Sequence, residues 1–469
     1  MALKRTLSII IALMFLLTSI KTVIGQDEPT VPIYIVQSGE NLTEIAERFG
    51  ISVQDLINAN AITDSNLISA GTQLIIPGIT GISGVLTTTP VEFGETYATI
   101  LRRYRISAEN FQKLNAITSP AEIYIGSNLI LPQEDGENAF NSSVVIQQDG
   151  SLLEAAIRSK QNPWQLARVN KVAPAQVLPN DVLFYFASDQ QGFHSTISEH
   201  ISKVELSPLP AVQGHTTDIR IYTDQTGSIS GSLGDYQLNF FRDASGQFYY
   251  ALQGIHAMAQ PGLLPLKLTG QFDNGDTFSS EQMMLMESGN YANETLSVEQ
   301  TTIDQATIEN ENAAIAQILA PITSEKLWSG NFRFPVDGKL EDNTMGFSSY
   351  FGNRRSYNNG QYKGFHGGLD FLVVVMSFNV YAPAPGTVVY TGKMDIRGNT
   401  IFIDHGQGIY TGYAHLKEID VNVGDRVETG QLIGLIGATG RVTGPHLHWD
   451  VWVNGNTVDP FDWVDNTYP

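Results

Sequence analysis

Residues 443 to 453 read TGPHLHWDVWV. A strand carrying His446 and His448 one residue apart turns both imidazoles to the same side, because alternate strand residues share a face. Two such side chains can reach one point, one as a metal ligand and the other against whatever the metal holds. Five of the nine histidines lie beyond residue 360: His366, His405, His415, His446 and His448. Upstream, GFHGGLDFLVVV sets Asp370 four residues after His366. In a straight strand these two would stand about 13 Å apart, too far to share a metal through bonds of about 2 Å. Gly367 and Gly368 allow the bend that closes the gap. A helix would also join i and i+4, but paired glycines followed by Val373, Val374 and Val375 disfavour one. The chain has no cysteine, so any metal site must use His, Asp or Glu. Three such ligands plus a water describe an open catalytic zinc site. The HExxH pattern of helical zinc proteases is absent.

The segments that must position these residues are FSSYFGNR, HGGLDF, YAHL and VGDRVETGQLIGLIGATGRVTGPHLHW, in that order between about Phe334 and Asp462. Together they resemble the lysostaphin and LytM type of zinc metalloendopeptidase, the peptidoglycan DD-endopeptidase-like peptidases of M23 type. The resemblance implies a mainly-β domain with one Zn2+ held by His366, Asp370 and His448. It also implies that His415, in YAHL, and His446 are the unligated catalytic pair. Arg354 falls on the arginine of the family's FGxR segment, with a substrate-side or structural role. His405 matches a family histidine that is not a ligand. Zinc lowers the pKa of its water to ~7 and polarises the scissile carbonyl. Two histidines, in place of the glutamate used elsewhere, then divide the proton transfers, with the division between them open. A degenerate homologue acting as a scaffold typically lacks one or more of these five residues, and all five are present. The glycines of GLIGATG lack the βαβ context of a nucleotide loop.

A repeat fills the first 190 residues. Asn60, Asn115 and Asn170 follow one another at steps of 55, and Gly39 to Gly94, Gly71 to Gly126 and Pro77 to Pro132 keep the same step. In the third copy Asp181 stands where the turn glycines stood. A fixed period signals tandem supersecondary units, and each reads β-α-α-β. In the first, Asn41 caps a helix with Glu44 three residues on, and Leu42, Ile45, Ala46 and Phe49 form one face. Gly50 ends that helix and Ser52 caps the second. YIVQSGENLTEIAERFGISVQDLINAN with the closing ISAGTQLIIP resembles the LysM module, well in the first copy, less in the second and weakly in the third. That resemblance implies binding of N-acetylglucosamine-containing glycans such as peptidoglycan, in a groove between residues 38–41 and 65–68. The glycan contacts implied are Gly39, Glu40, Asn41, Leu67 and Ile68.

The expected architecture is multidomain. A signal peptide (1–25) precedes LysM repeats at 33–78, 88–133 (diverged) and 143–187 (eroded). A central antiparallel β-sandwich (193–300), a linker helix (301–327) and the peptidase domain (328–465) follow. The sandwich reading rests on strand-like runs split by turns such as DASG and DNGD, and its histidines read as ordinary polar positions. Lys4 and Arg5 before LSIIIALMFLLTSI, a run too short to span a membrane, mark the signal peptide. Val23 and Gly25 suit cleavage after Gly25. A net charge of −21 argues against nucleic acid and anionic lipid as partners.

The expected function is an exported, secreted or envelope-associated zinc endopeptidase acting on peptidoglycan cross-links, anchored on glycan strands and free of the membrane after signal cleavage. The alternatives are a non-catalytic wall-binding scaffold or amidase activator, and a protease of glycine-rich proteins.

Overall fold

The computed structural model describes residues 31–469 except 65–67, 80–81, 83, 134–138, 148, 174–175, 188–192, 194–196, 341–343 and 373–377. The signal-peptide expectation therefore lies outside the described residues, as do Leu67 and Val373 to Val375. The chain divides into two compact units. The described residues of 1–89, 106–116 and 130–135 make up the smaller, and those of 90–105, 117–129 and 136–469 the larger.

In the smaller unit the first repeat folds as its periodicity predicts. Strand Ile33–Ile35 pairs antiparallel with Gln73–Ile75, and helices Leu42–Phe49 and Val53–Asn60 lie between them in sequence. Asn41 and Glu44 form the reciprocal capping box, and Gly50 ends the helix at φ 66°, a backbone region open to glycine at little cost. Leu42, Ile45, Ala46, Leu56 and Leu74 are buried with Tyr34.

The asparagine that recurs every 55 residues has one job in all three repeats. Asn60 donates to the carbonyl of Ile75 (2.8 Å) and accepts from its N–H (2.6 Å). Asn115 does the same at Ile130 and Asn170 at Phe184. A side-chain amide carries a donor and an acceptor side by side, so it pairs with the closing strand as another strand would and locks the second helix to it.

The second repeat contributes helix Tyr97–Arg103 to the larger unit and Ala108–Asn115 to the smaller. The third, within the larger unit, retains β-α-α-β over Ser142–Val145, Leu152–Arg158, Pro163–Val169 and Val182–Tyr185. Its lost glycine is replaced one residue earlier by Asn180 at φ 68°, asparagine being among the side chains that tolerate the left-handed region.

Residues 201–287 form two antiparallel-rich sheets, one five-stranded and one four-stranded. Ile219 and Ile221 of one sheet share a core with Leu233, Leu266, Leu268 and Met284 of the other. Two of its histidines are engaged by carboxylates: His200 lies between Asp224 (3.1 Å) and Asp276 (3.0 Å), and His215 bonds Asp462 (2.8 Å).

The C-terminal region is a ten-stranded sheet around Trp449, Trp463, Leu369 and Ile401. Its boundary differs from the sequence expectation. Strand Asn293–Leu296 pairs in parallel with Arg354–Tyr357, so it extends a small sheet of the C-terminal region and belongs to neither sheet of residues 201–287. Helix Gln305–Ile318 exists as expected but is no free linker. Ile315 packs with Leu319, Met394, Phe402 and Tyr410, and Glu311 accepts the N–H groups of Ile396 (2.6 Å) and Arg397 (3.1 Å). Pairing between strands about 60 residues apart leaves no local period by which the sequence could announce it.

Candidate metal centre and peptide groove

Strand Leu447–Val453 lies between Leu369–Phe371 and Ile409–Ile419, and its register sets His448 opposite Asp370 on one side and Ala414 on the other. The pairing thus delivers His448, Asp370 and the neighbour of Ala414, His415, to one spot. His366 joins them because the chain bends at Gly367 and Gly368. Its Nε2 stands 2.9 Å from Asp370 Oδ1 and 3.0 Å from His448 Nδ1, and the latter two are 2.8 Å apart. Three donor atoms in so tight a triangle suit a metal bonded at about 2 Å to each.

The opposite sides of the rings fit as well. His366 donates from Nδ1 to the Tyr350 carbonyl (2.8 Å), and His448 donates from Nε2 to Asp450 (3.1 Å). Each bond fixes the tautomer that leaves the metal-facing nitrogen free. Burial pushes His366 down to about 4, so it is neutral and ready to ligate. Burial alone would raise Asp370, but His366 and His448 hold it well below the usual carboxylate range. Burial likewise pulls His448 down, yet Asp370 and Asp450 outweigh it and raise it. A metal at Nδ1 displaces that proton.

His415 and His446 face each other at 4.8 Å between ring centres. Each uses Nδ1 on a carbonyl, His415 on Thr439 and His446 on Gly444, both at 2.8 Å. This leaves Nε2 of each as the proton-accepting atom. His446 Nε2 lies 3.7 Å from Asp370 Oδ1, so the same-face reading of His446 and His448 is met in space. Burial, and then the charges of His448 and His446, hold His415 well below its ordinary value. Its backbone sits at φ 64°, an unfavourable region for a residue with a side chain, and such strain collects at functional sites. His405 is buried and bonded to Pro385 O (2.7 Å) and Thr411 Oγ1 (2.8 Å), outside the donor triangle.

The triangle opens into a groove of about 420 Å3 lined by His366, His415, His446 and His448 together with Arg355, Arg397 and Arg441. Arg354 is not on it. Its guanidinium lies over Tyr291 and toward Met258 and Gln213, on the sandwich side, which favours the structural half of its expected role. Its neighbour Arg355 faces the centre, reaching Asp370 Oδ2 (3.0 Å) with one nitrogen and Glu294 (3.0 Å) with another. Adjacent strand residues point to opposite faces, so the pair Arg354-Arg355 always had one member on the site. Asp450 was equally legible, two residues beyond His448 on the same face. Glu294 had no such signal.

In the first repeat, Glu40 and Asn41 spend their side chains internally. Glu40 takes bonds from Tyr34 (2.9 Å), the Gln37 N–H (2.8 Å) and Arg48, and Asn41 caps its helix. Gly39 turns at φ 86°, Ile68 lies in irregular chain, and Leu67 falls outside the described residues.

Residues 364–460 match Peptidase family M23, and residues 34–77 and 91–132 match the LysM domain. The chain thus carries an M23 peptidase domain after two family-matched LysM domains. Peptidoglycan DD-endopeptidase ShyA of Vibrio cholerae is 41% identical over 127 residues, 27% of this chain and 28% of that protein. DD-carboxypeptidase/endopeptidase Mpg of Neisseria meningitidis is 39% identical over 95 residues, 20% of this chain and 22% of that one. The match spans less than a third of either relative. Among solved structures, a chain assigned to peptidase M23 from Pseudomonas aeruginosa is 28% identical, covering 55% of this chain and 96% of its own at a TM-score of 0.40. A zinc-containing peptidase from Vibrio cholerae is 16% identical, covering 91% and 98% at a TM-score of 0.26.

Proposed function

We propose that the protein is an exported zinc endopeptidase that hydrolyses peptide bonds in bacterial peptidoglycan, held on the glycan by its LysM repeats. The observation that carries this reading is the convergence of five side chains: the donor triangle of His366, Asp370 and His448, and the two open Nε2 atoms of His415 and His446 beside it. A zinc ion in the triangle supplies an acidified water and a Lewis acid for the scissile carbonyl. His415 and His446, each with Nδ1 on a carbonyl and Nε2 open, are suited to take up the proton released by the water at Nε2 and to pass that same proton on to the leaving amine. Arg355 keeps Oδ2 of Asp370 occupied, which leaves Oδ1 as the atom that would hold the metal. Main-chain groups around Gly39 and Ile68 serve the glycan, since the Glu40 and Asn41 side chains are committed elsewhere. Export rests on the charged and apolar pattern of residues 1–25.

Digestion of purified peptidoglycan followed by mass spectrometry tests the proposal. Cross-linked fragments should fall to their uncross-linked peptides, chelation should stop the cleavage, and Zn2+ should restore it. An intact wall whose hydrolysis by an added amidase is stimulated would instead establish the scaffold reading.

A further inference from the structure

The groove arginines are unequally partnered. Arg355 is held by Glu294 and Asp370, and Arg397 by Asp450. The groove's own carboxylates are all engaged: Glu294 by Arg355, Ser349 and Asn353, Glu311 by two N–H groups, and Asp370 by the histidines and Arg355. Arg441 alone has no acidic partner among the described residues. Its guanidinium lies over the Tyr357 ring at 4.7 Å and gives one N–H to the Thr302 carbonyl at 3.0 Å. Both contacts fix the plane of the group without neutralising it. A guanidinium has five N–H donors in a rigid fork that matches a carboxylate, and among the described residues one is used. In a chain with 48 acidic and 27 basic side chains, a cation kept clear of acidic partners beside the candidate metal centre is matched to a negative charge on what enters.

We infer that Arg441 binds a free carboxylate of the peptide substrate and selects for peptides that carry one near the cut bond. This rests on the peptidase reading and adds to it a substrate chemistry. Thr302 belongs to the short helix Gln300–Ile303, ahead of the M23 match, so a residue outside that match helps to orient this guanidinium.

The test uses the full chain with zinc and two synthetic cross-linked peptides identical except that the carboxyl nearest the cut bond is free in one and amidated in the other. A charge-assisted pair of this kind favours the free acid by about 10- to 100-fold in kcat/KM. R441Q should collapse that ratio towards one, and R441K, which keeps the charge but not the fork, should retain part of it. Zinc content and melting temperature of each variant, measured alongside, identify a variant that has failed to fold. A ratio unchanged in folded R441Q, or a loss equal for both peptides, overturns the inference. If the wild type cuts neither peptide, the peptidase reading fails separately. Calorimetric binding of the same pair then decides the anchor, which stands if preference for the free acid depends on Arg441 and falls if the two bind alike.

Discussion

At the centre, His448 is held between Asp370 at Nδ1 and Asp450 at Nε2, while His415 and His446 have Nδ1 committed to carbonyls. These positions define different failures. His448→Ala removes one corner of the donor triangle and should abolish stoichiometric zinc in metal analysis; full retention would remove His448 from the ligand set. Asp450→Asn keeps the ring but weakens its orientation, and should lower zinc affinity by roughly 10- to 100-fold in a chelator competition. His415→Ala and His446→Ala should keep the metal and lose hydrolysis by about 10²-fold or more. Metal loss in either would mean that ligand and proton-transfer roles are exchanged.

Among the elements, strand Asn293–Leu296 carries the contact with the furthest reach. Glu294 fixes Arg355, and Arg355 fixes Asp370, so a side chain outside the M23 match positions a candidate ligand inside it. Glu294→Ala should weaken zinc retention while Glu294→Gln, which still accepts hydrogen bonds, loses less. Equal zinc affinity in wild type and Glu294→Ala would show that Arg355 needs no such brace. The last helix, Pro460–Asp465, has a pH-dependent start. Its cap, Asp459, accepts from the Phe461 N–H, and burial, aided by Asp462 and Asp465, raises its carboxyl to about 6. A carboxyl raised in the folded state contributes stability below the ordinary carboxylate range and loses it as pH climbs through about 6. Asp459→Asn keeps an acceptor for the cap and removes the titration. Its melting temperature should exceed that of the wild type at about pH 7.5, with the difference closing towards pH 4. A difference independent of pH would assign the effect to packing.

Over the whole molecule, the proposed tandem glycan sites would raise retention on a wall through effective concentration, but the repeats are not equivalent. In the third, Asp181 is bonded to the Leu178 N–H (2.9 Å) and paired with Arg102 of the second repeat (2.8 Å). The loop that corresponds to the one proposed to bind glycan in the first repeat is therefore tied to a neighbour. Deleting residues 33–78 should reduce retention on insoluble peptidoglycan more than deleting 143–187, as read by co-sedimentation. The reverse ranking would make the third repeat the principal binder.

The sequence by itself determined whatever depends on near neighbours in the chain. The caps at Asn41 and Ser52, the left-handed stop at Gly50, and the 55-residue step of the helix-locking asparagines are all local, and they appear in the fold as they read. So does the shared face of His446, His448 and, unread though visible, Asp450, because strand alternation is a property of the chain alone. Only the tertiary structure decided which of Arg354 and Arg355 meets Asp370, since that depends on which side of their strand the long-range pairing covers. It also decided that Glu294 and Glu311 line the groove of the candidate metal centre. Glu294 and Glu311 act across 55 to 85 residues of chain, and a contact made at that distance is specified by how strands and helices pack, with no periodicity at either end to announce it.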